Sequence, residues 1–182
     1  MTTFFTSDLH INHFNIIKYT NRPFTSTKEM DEALIDNWNA VVKPGDTVYN
    51  LGDFGFGSAD YLISVNKRLN GHKHFVWGNH DKELQRYKGD LGFESTSFYK
   101  EIRVDNQKII LSHYAFLVWN GSHKGSWNLF GHSHHTLPIN INSLSTDVGV
   151  DGPDFNYTPV SFEQVREIMK NRKFVPLDHH KD

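Results

Sequence analysis

The chain has 182 residues and a formal net charge of −2 with histidine neutral, so it can bury one substantial core but has no broad basic surface for a nucleic-acid backbone. It contains no cysteine, which excludes disulfides and zinc–thiolate sites and leaves nitrogen and oxygen as metal ligands. Neither a secretory leader pattern nor a bilayer-spanning apolar run is present, so we expect a cytoplasmic protein that does not engage a membrane. The twelve histidines are the unusual feature of the composition.

The first half of the chain is predicted to alternate between strands and helices. A capping box at Ser26 and an apolar stripe through Trp38 predict the longest helix of this half. Such alternation is typical of βαβ units around a parallel sheet. The predicted elements, in chain order, are a strand at 2–6, a short helix at 13–19, a helix starting after Ser26, a strand at 47–51, a helix at 58–69 and a strand at 74–77.

The second half has a different pattern. Strands at 98–104 and 108–111 flank Asp105-Asn106-Gln107 and predict a hairpin. Further strands are predicted at 127–130 and 145–150, and a capping box with a hydrophobic staple predicts a last helix after residue 161. No repeat or linker divides the chain, so we expect one domain over residues 1–182, with a polar tail at about 177–182.

Short polar clusters follow five of the strand-like runs. They are Asp8-Leu9-His10, Gly52-Asp53, Gly78-Asn79-His80-Asp81, Ser112-His113 and Gly131-His132-Ser133-His134. Open α/β sheets bind ligands at the carboxyl ends of their strands, so we expect these clusters to form one site. In an extended stretch, residues two apart point to the same side, which would bring Asp8 beside His10 and His132 beside His134.

The clusters offer two carboxylates, four imidazoles and one amide carbonyl as metal ligands. These candidates are Asp8, His10, Asp53, Asn79, His113, His132 and His134. One ion would rarely use all seven, whereas two ions sharing a carboxylate would, and Asp53 is the natural bridge. Mixed imidazole and oxygen ligation favours two divalent transition-metal ions, with Mn first and Fe, Zn, Ni or Co as alternatives.

Two cations about 3.5–4 Å apart are suited to phosphoester hydrolysis, because they can activate a shared hydroxide and neutralise the phosphoryl oxygens. A proton for the leaving alkoxide is then still required. His80 is the candidate general acid, and Asp81 beside it is expected to orient or acidify its ring.

These motifs, in this order from Asp8 to His134, resemble those of the calcineurin-like metallophosphoesterase superfamily. The resemblance implies an α/β fold: a four-layer αββα sandwich of two mixed β-sheets packed face to face, with helices on both outer faces. It also implies that Asp8, His10 and His134 hold one metal, that Asn79, His113 and His132 hold the second, and that Asp53 bridges them. His80 would be the general acid.

The segments at residues 8–15 and 21–24 also resemble a small subfamily from bacteria and their phages, which would place the protein in a bacterial or phage-infected cell. Many superfamily members follow the bridging Asp with a second carboxylate, whereas this chain has Phe54-Gly55-Phe56-Gly57. Substrate contacts are expected from Arg22, a phosphate clamp by its fork geometry, and from His13 and Asn15. The other histidines are expected to be surface or hydrogen-bonded residues: His72, His74, His123, His135, His179 and His180.

The leading functional prediction is a dinuclear phosphodiesterase acting on a small phosphodiester, with monoesters as further substrates. A nuclease or nucleotide-directed esterase is the alternative enzyme, since a nucleic-acid end could enter the site without a basic footprint. The alternative outside enzymes is a catalytically silent metal-binding scaffold. The presence of all seven ligands and His80 favours the enzyme.

Overall fold

Two mixed β-sheets form the centre of the computed structural model, which describes residues 1–177. The first sheet consists of β1 (Thr3–Thr6), β2 (Thr47–Asn50), β3 (His72–Val76), β4 (Ser95–Ser97) and β9 (Val160–Ser161). The second consists of β5 (Tyr99–Val104), β6 (Gln107–Ser112), β7 (Trp127–Phe130) and β8 (Ser145–Asp147). Their strand orders are β4-β3-β2-β1-β9 and β5-β6-β7-β8.

Four α-helices accompany the sheets: α1 (Phe14–Tyr19), α2 (Thr27–Val41), α3 (Ala59–Arg68) and α4 (Phe162–Lys170). All four lie where the sequence predicts them, to within one or two residues at the ends. The strands β4 and β9 are too short to have a clear sequence pattern and were not predicted. The strand predicted at 145–150 ends at Asp147, because the chain there crosses between the sheets: the Val148 N–H donates to Phe130 and the Val150 N–H to Ser7.

The parallel strands of the first sheet set the position of three polar clusters. β1 to β4 are all parallel, and Thr6 pairs with Asn50, which in turn pairs with Phe75. The carboxyl ends of β1, β2 and β3 therefore lie side by side at one edge. This register brings together the residues that follow these strands, as the sequence predicts.

The second sheet delivers the other two clusters. Its first two strands form the predicted hairpin, in which Asp105 and Asn106 both have positive φ angles of 47° and 66°, as in a two-residue turn that matches the strand twist. β6, β7 and β8 are parallel. His113 directly follows β6, and His132 comes two residues after β7.

The apolar core has two parts, one on each face of the first sheet. Phe4 packs in the cluster formed with α1, α2 and α3, whereas Phe5, the next residue along β1, packs between the two sheets with Ile109 and Leu129. Residues of α4 join this second cluster. The fold class is confirmed as two mixed sheets with helices.

Within residues 1–177, hydrogen bonds place a segment with a short 3-10 turn on the outer face of the second sheet. The segment at 114–126, which contains this turn (Ser122–Lys124), lies against that face: the Phe116 N–H donates to Asn128 and the Asn120 amide to Glu101.

Among residues 1–177, no helix has the length and apolarity needed to cross a membrane.

The capping box of α4 gives a direct test of local stability. Ser161 Oγ accepts from the Gln164 N–H at 3.3 Å, and Gln164 Oε1 accepts from the Ser161 N–H at 2.8 Å. We expect Ser161→Ala to lower the free energy of unfolding by about 1 kcal/mol, measured by urea denaturation. The matched control is Ser64→Ala at an exposed interior position of α3, where a change within about 0.5 kcal/mol is expected. Equal effects of the two changes would contradict a capping role.

Candidate metal centre

The predicted ligands form two adjacent groups at the carboxyl edge shared by the two sheets. Asp8, His10 and His134 offer one set of ligand atoms that all lie within 4.8 Å of one another. Asp53, His113 and His132 offer a second set with the same spacing. His132 and His134 therefore belong to different groups, which is the division that the family resemblance implies. Both have left-handed backbone angles, so the expectation that they lie on one side of an extended strand is wrong.

Asp53 lies between the two groups. Its Oδ2 is 3.7 Å from His10 Nε2 in the first group and 3.5 Å from His113 Nε2 in the second. Asn79 also reaches the second group, because its Oδ1 is 3.0 Å from His113 Nε2. The geometry thus brings all seven predicted ligands to the two groups.

Hydrogen bonds leave the metal-facing atoms of several ligands free. His113 Nδ1 donates to the Leu51 carbonyl at 2.7 Å, so its Nε2 keeps a lone pair. Asp8 Oδ2 accepts from the His132 N–H at 2.8 Å, while Asp8 Oδ1 and His10 Nε2 are buried with no hydrogen-bond partner among residues 1–177. Buried polar atoms normally have partners, so these residues fit a divalent cation with mixed nitrogen and oxygen ligands.

The ligand loops have an unusual backbone. Asp8, His10, Asp53, His132 and His134 all have φ between 45° and 66°, a region that non-glycine residues rarely adopt. The spacing of Asp8 and His10 predicts an extended strand, and this prediction is wrong, because both residues have left-handed backbone angles. They alternate with Leu9 and Ile11, which are buried in the core. Backbone strain of this kind is concentrated at functional sites.

Gly78 allows two of these loops to approach each other closely. A Cβ at this position would lie 2.2 Å from Asp53 Oδ1, so no larger residue fits without moving the candidate bridging carboxylate.

Asp81 has a different role from the predicted one. Its Oδ2 accepts from the backbone N–H groups of Asp53 and Gly78, and its Oδ1 accepts from that of Phe54. Burial raises the pKa of Asp81 to about 6, against the effect of these three donors. Within residues 1–177 no hydrogen bond joins Asp81 to the His80 ring, so the expectation that Asp81 orients that ring is wrong; Asp81 holds the loops after β2 and β3 together.

Arg22 is also not a phosphate clamp, because its five N–H donors are already used within the protein. Its guanidinium is buried, forms a bidentate pair with Asp151 at 2.8 Å and donates to the carbonyls of Asp8 and Leu9 and to Met30 Sδ. No donor remains for a phosphate. Arg22 instead fixes the backbone of the first ligand loop.

Asp151 is a site residue that the sequence analysis missed. Its Oδ2 accepts from His134 Nδ1 at 2.7 Å, which directs the other ring nitrogen toward the first ligand group. Although burial alone would raise the pKa of Asp151, the hydrogen bonds from His134 and Arg22 hold it well below its ordinary value. The only sequence signal was a lone Asp in a Gly-Val-Asp-Gly turn, a pattern that ordinary surface turns share.

Charges in the site are strongly affected by burial. Burial raises the pKa of Asp8 to about 7, against the opposing effect of His134 and His113. Burial lowers the pKa of His10 to about 2, so this ring is neutral, which is the form that binds metals. Burial would raise the pKa of Asp53 as well, but interaction with the nearby His113 ring and the hydrogen bond from the His80 backbone N–H outweigh it and lower the pKa to about 2.

Three rings lie together beside the first ligand group. His80 is exposed, and its ring centroid is 5.6 Å from that of His10. His13 Nδ1 is 3.3 Å from His10 Nδ1. Phe56, which the sequence analysis did not single out, has its ring centroid 4.3 Å from that of His13 and 5.2 Å from that of His80.

The remaining candidates are not part of the two ligand groups. Asn15 is exposed on α1, and its side chain makes no hydrogen bond within residues 1–177. As expected, His72, His74 and His135 make hydrogen bonds to other groups: to Glu94, Ser95 and the Gly149 carbonyl. His123 has an interaction partner elsewhere. His179, His180 and the polar tail after Leu177 lie outside the described residues.

A family model for calcineurin-like phosphoesterases matches residues 1–181. The chain belongs to this family and is a phosphoric ester hydrolase, which implies divalent metal ions and a phosphoester substrate.

Two relatives extend over most of the chain. An uncharacterized protein of Methanocaldococcus jannaschii is 34% identical over 182 residues, covering 93% of this chain and 92% of the relative. The Gene 66 protein of Mycobacterium phage L5 is 28% identical over 179 residues, covering 82% and 86%. The crystal structure of a protein of unknown function from Aquifex aeolicus matches with a TM-score of 0.70 and 25% identity, covering 92% of this chain and 98% of that one.

The contact between Asp151 and His134 generates a metal-binding prediction. We expect Asp151→Asn to weaken the first bound Mn²⁺ about 10- to 100-fold, because a carboxylate partner makes a ligating imidazole more basic and fixes its orientation. Titration calorimetry of metal-depleted protein measures the affinity. The matched control is Asp154→Asn, an exposed carboxylate three residues along, whose affinity should not change. Equal affinities in both variants would contradict a positioning role for Asp151.

Proposed function

We propose that the protein is a dinuclear metal-dependent phosphodiesterase acting on a small phosphodiester. The observation that carries this proposal is the position of Asp53, whose Oδ2 lies 3.7 Å from a ligand of one group and 3.5 Å from a ligand of the other. A carboxylate shared in this way suits a site with two ions rather than two independent sites.

Asp8, His10 and His134 would hold one ion, Asn79, His113 and His132 the other, and Asp53 would contact both. When bound, two divalent cations supply charge neutralisation at the phosphoryl oxygens and an activated water. Mn is the metal we propose, with Fe, Zn, Ni and Co as alternatives, because four imidazoles and three oxygen ligands suit these ions better than Ca or Mg.

His80 provides the proton in this proposal. Hydrolysis joins a water oxygen to phosphorus and breaks the bond from phosphorus to the leaving oxygen, which must be protonated as it departs if the alcohol is a weak acid. The His80 ring is exposed next to His10, and its backbone N–H donates to Asp53 Oδ1 at 2.9 Å. Asp53 is therefore both a candidate metal ligand and the hydrogen-bond acceptor for the backbone of the residue that carries the acid.

His13 remains a candidate substrate contact in this proposal, because it is half-buried beside His10 and near His80. Nothing in the structure supports such a role for Asn15, which is exposed on α1. A diester carries one negative charge and needs fewer cationic contacts than a monoester, which is consistent with a site whose arginine is committed to Asp151.

The bridging position of Asp53 predicts the metal stoichiometry. We expect wild-type protein to bind about two Mn²⁺ per chain. We expect Asp53→Asn to lose most of the second equivalent and to lower metal-dependent diester hydrolysis by at least about 100-fold. Elemental analysis after gel filtration and hydrolysis of an aryl phosphodiester measure the two effects. The control is Asp36→Asn, an exposed carboxylate on α2. Wild-type protein with a single equivalent would overturn the dinuclear proposal.

The role of His80 predicts a dependence on the leaving group. We expect His80→Ala to slow hydrolysis of a diester with an alkyl leaving group about 10²- to 10⁴-fold. A p-nitrophenyl ester, whose leaving group scarcely needs the proton, should slow far less. His72→Ala, at an exposed position paired with Glu94, is the control. If both esters slowed equally in the His80 variant, the general-acid role would be wrong.

A further inference from the structure

Phe56 is a half-buried aromatic residue at the mouth of the metal centre. It lies in the loop after β2, where this chain departs from the superfamily pattern by lacking a second carboxylate. Its ring centroid is 4.3 Å from His13, 5.2 Å from His80 and 6.1 Å from His10. We call Phe56 and His13 the aromatic wall of the site.

Hydrogen bonds hold the backbone of Phe56, so this part of the aromatic wall has a defined position. The Phe56 N–H donates to the Ile11 carbonyl at 2.8 Å, and the Phe56 carbonyl accepts from Asn12 Nδ2 at 3.3 Å. The Asn12 N–H donates in turn to both oxygens of Asp31, which also accepts from Tyr61. This network ties the loop to α2 and α3.

The position of the general acid determines which part of the substrate contacts the aromatic wall. If His80 protonates the leaving oxygen, that oxygen must lie within hydrogen-bond reach of the His80 ring. The first atoms of the leaving alcohol then lie beside Phe56, since its ring is a neighbour of the His80 ring. The flat apolar face of a phenylalanine favours contact with another aromatic ring.

The opposite side of the site has a different aromatic residue. On the side of the second ligand group, the exposed Tyr114 has its ring centroid 5.1 Å from that of His113 and 4.6 Å from that of His132. The two ends of a bound diester would therefore meet different aromatic residues. Such an asymmetry would make the two ester bonds of a diester unequal.

We propose that Phe56 is the specificity-determining residue for the leaving group, and that it selects an alcohol bearing an aromatic or heteroaromatic ring. This inference rests on the proposed diesterase function and on His80 as the acid. It adds the chemical class of the leaving alcohol and the orientation of the substrate.

Methyl benzyl phosphate tests the proposal within a single substrate. Its two alcohols, methanol and benzyl alcohol, have similar acidity, so the ratio in which they are released reports the orientation of the diester. We expect wild-type, Mn-loaded protein to release benzyl alcohol in excess. Phe56→Leu keeps apolar volume but removes the aromatic face, and it should lower the ratio of benzyl alcohol to methanol about 2- to 10-fold.

Two variants complete the test. Phe14→Leu is the matched control, because this exposed phenylalanine one residue after His13 has its ring against Lys18; its product ratio should equal that of wild type. Phe56→Trp keeps an aromatic face and should keep the excess of benzyl alcohol. A purely structural role for Phe56 would change the rate or the metal content without changing the product ratio.

The outcomes separate this inference from the function on which it rests. Release of both alcohols in the same ratio by wild type and Phe56→Leu would overturn the role of Phe56 and leave the diesterase proposal intact. If wild type released neither alcohol but hydrolysed the aryl phosphodiester, this inference would be overturned and the diesterase proposal would stand. If it hydrolysed neither substrate under any metal loading, the diesterase proposal would fail and this inference with it.

A second substrate, thymidine 5′-methyl phosphate, distinguishes the two sources of an aromatic ring. Release of thymidine supports a nucleoside against Phe56. Release of methanol from this substrate, with benzyl alcohol from the first, supports a simple arylmethyl alcohol against Phe56.

Discussion

Two buried carboxylates, Asp8 and Asp53, must be kept close together in a region from which water is largely excluded, and this requirement governs the surrounding structure. Removing each charge from water costs several kcal/mol, as the raised pKa of Asp8 indicates. Partial compensation comes from backbone N–H groups, because Asp8 accepts from His132 and Asp53 accepts from His80. Divalent cations would supply the rest, and metal binding would then be coupled to the stability of the fold.

A second layer of buried polar residues maintains this arrangement. Asp81 binds three backbone N–H groups of the loops after β2 and β3. Arg22 and Asp151 link the first ligand loop to His134. These contacts stabilise backbone conformations that cost about 1–3 kcal/mol each when a non-glycine residue adopts them. The strain is tolerated because several contacts fix each loop at once.

The site also shows why residue type alone did not reveal role. Arg22 and Asp81 have the side chains expected of a phosphate clamp and of a partner for a catalytic histidine. Both are buried, and the hydrogen bonds they make go to other groups of the protein itself. The reverse applies to Phe56, whose apolar side chain is typical of a core residue but lies half-exposed beside His80. The burial and the hydrogen-bond or ring partners of each side chain, rather than its residue type, determine the roles of these three residues.

Local patterns in the sequence determined the positions of the helices, most of the strands, the seven ligand candidates and their meeting at one edge. These follow from short-range physics: apolar periodicity, caps, turns, and the rule that parallel strands end together. The division of His132 and His134 between the two groups follows the one that the family resemblance implies. The tertiary structure alone decided the backbone that achieves it, because left-handed angles replace the extended conformation that their spacing suggests. It also decided the partners of Arg22, Asp81 and Asp151. Arg22 and Asp151 are 129 residues apart in the chain, and they meet because the segment after β8 returns to the end of β1, where the Val150 N–H donates to Ser7.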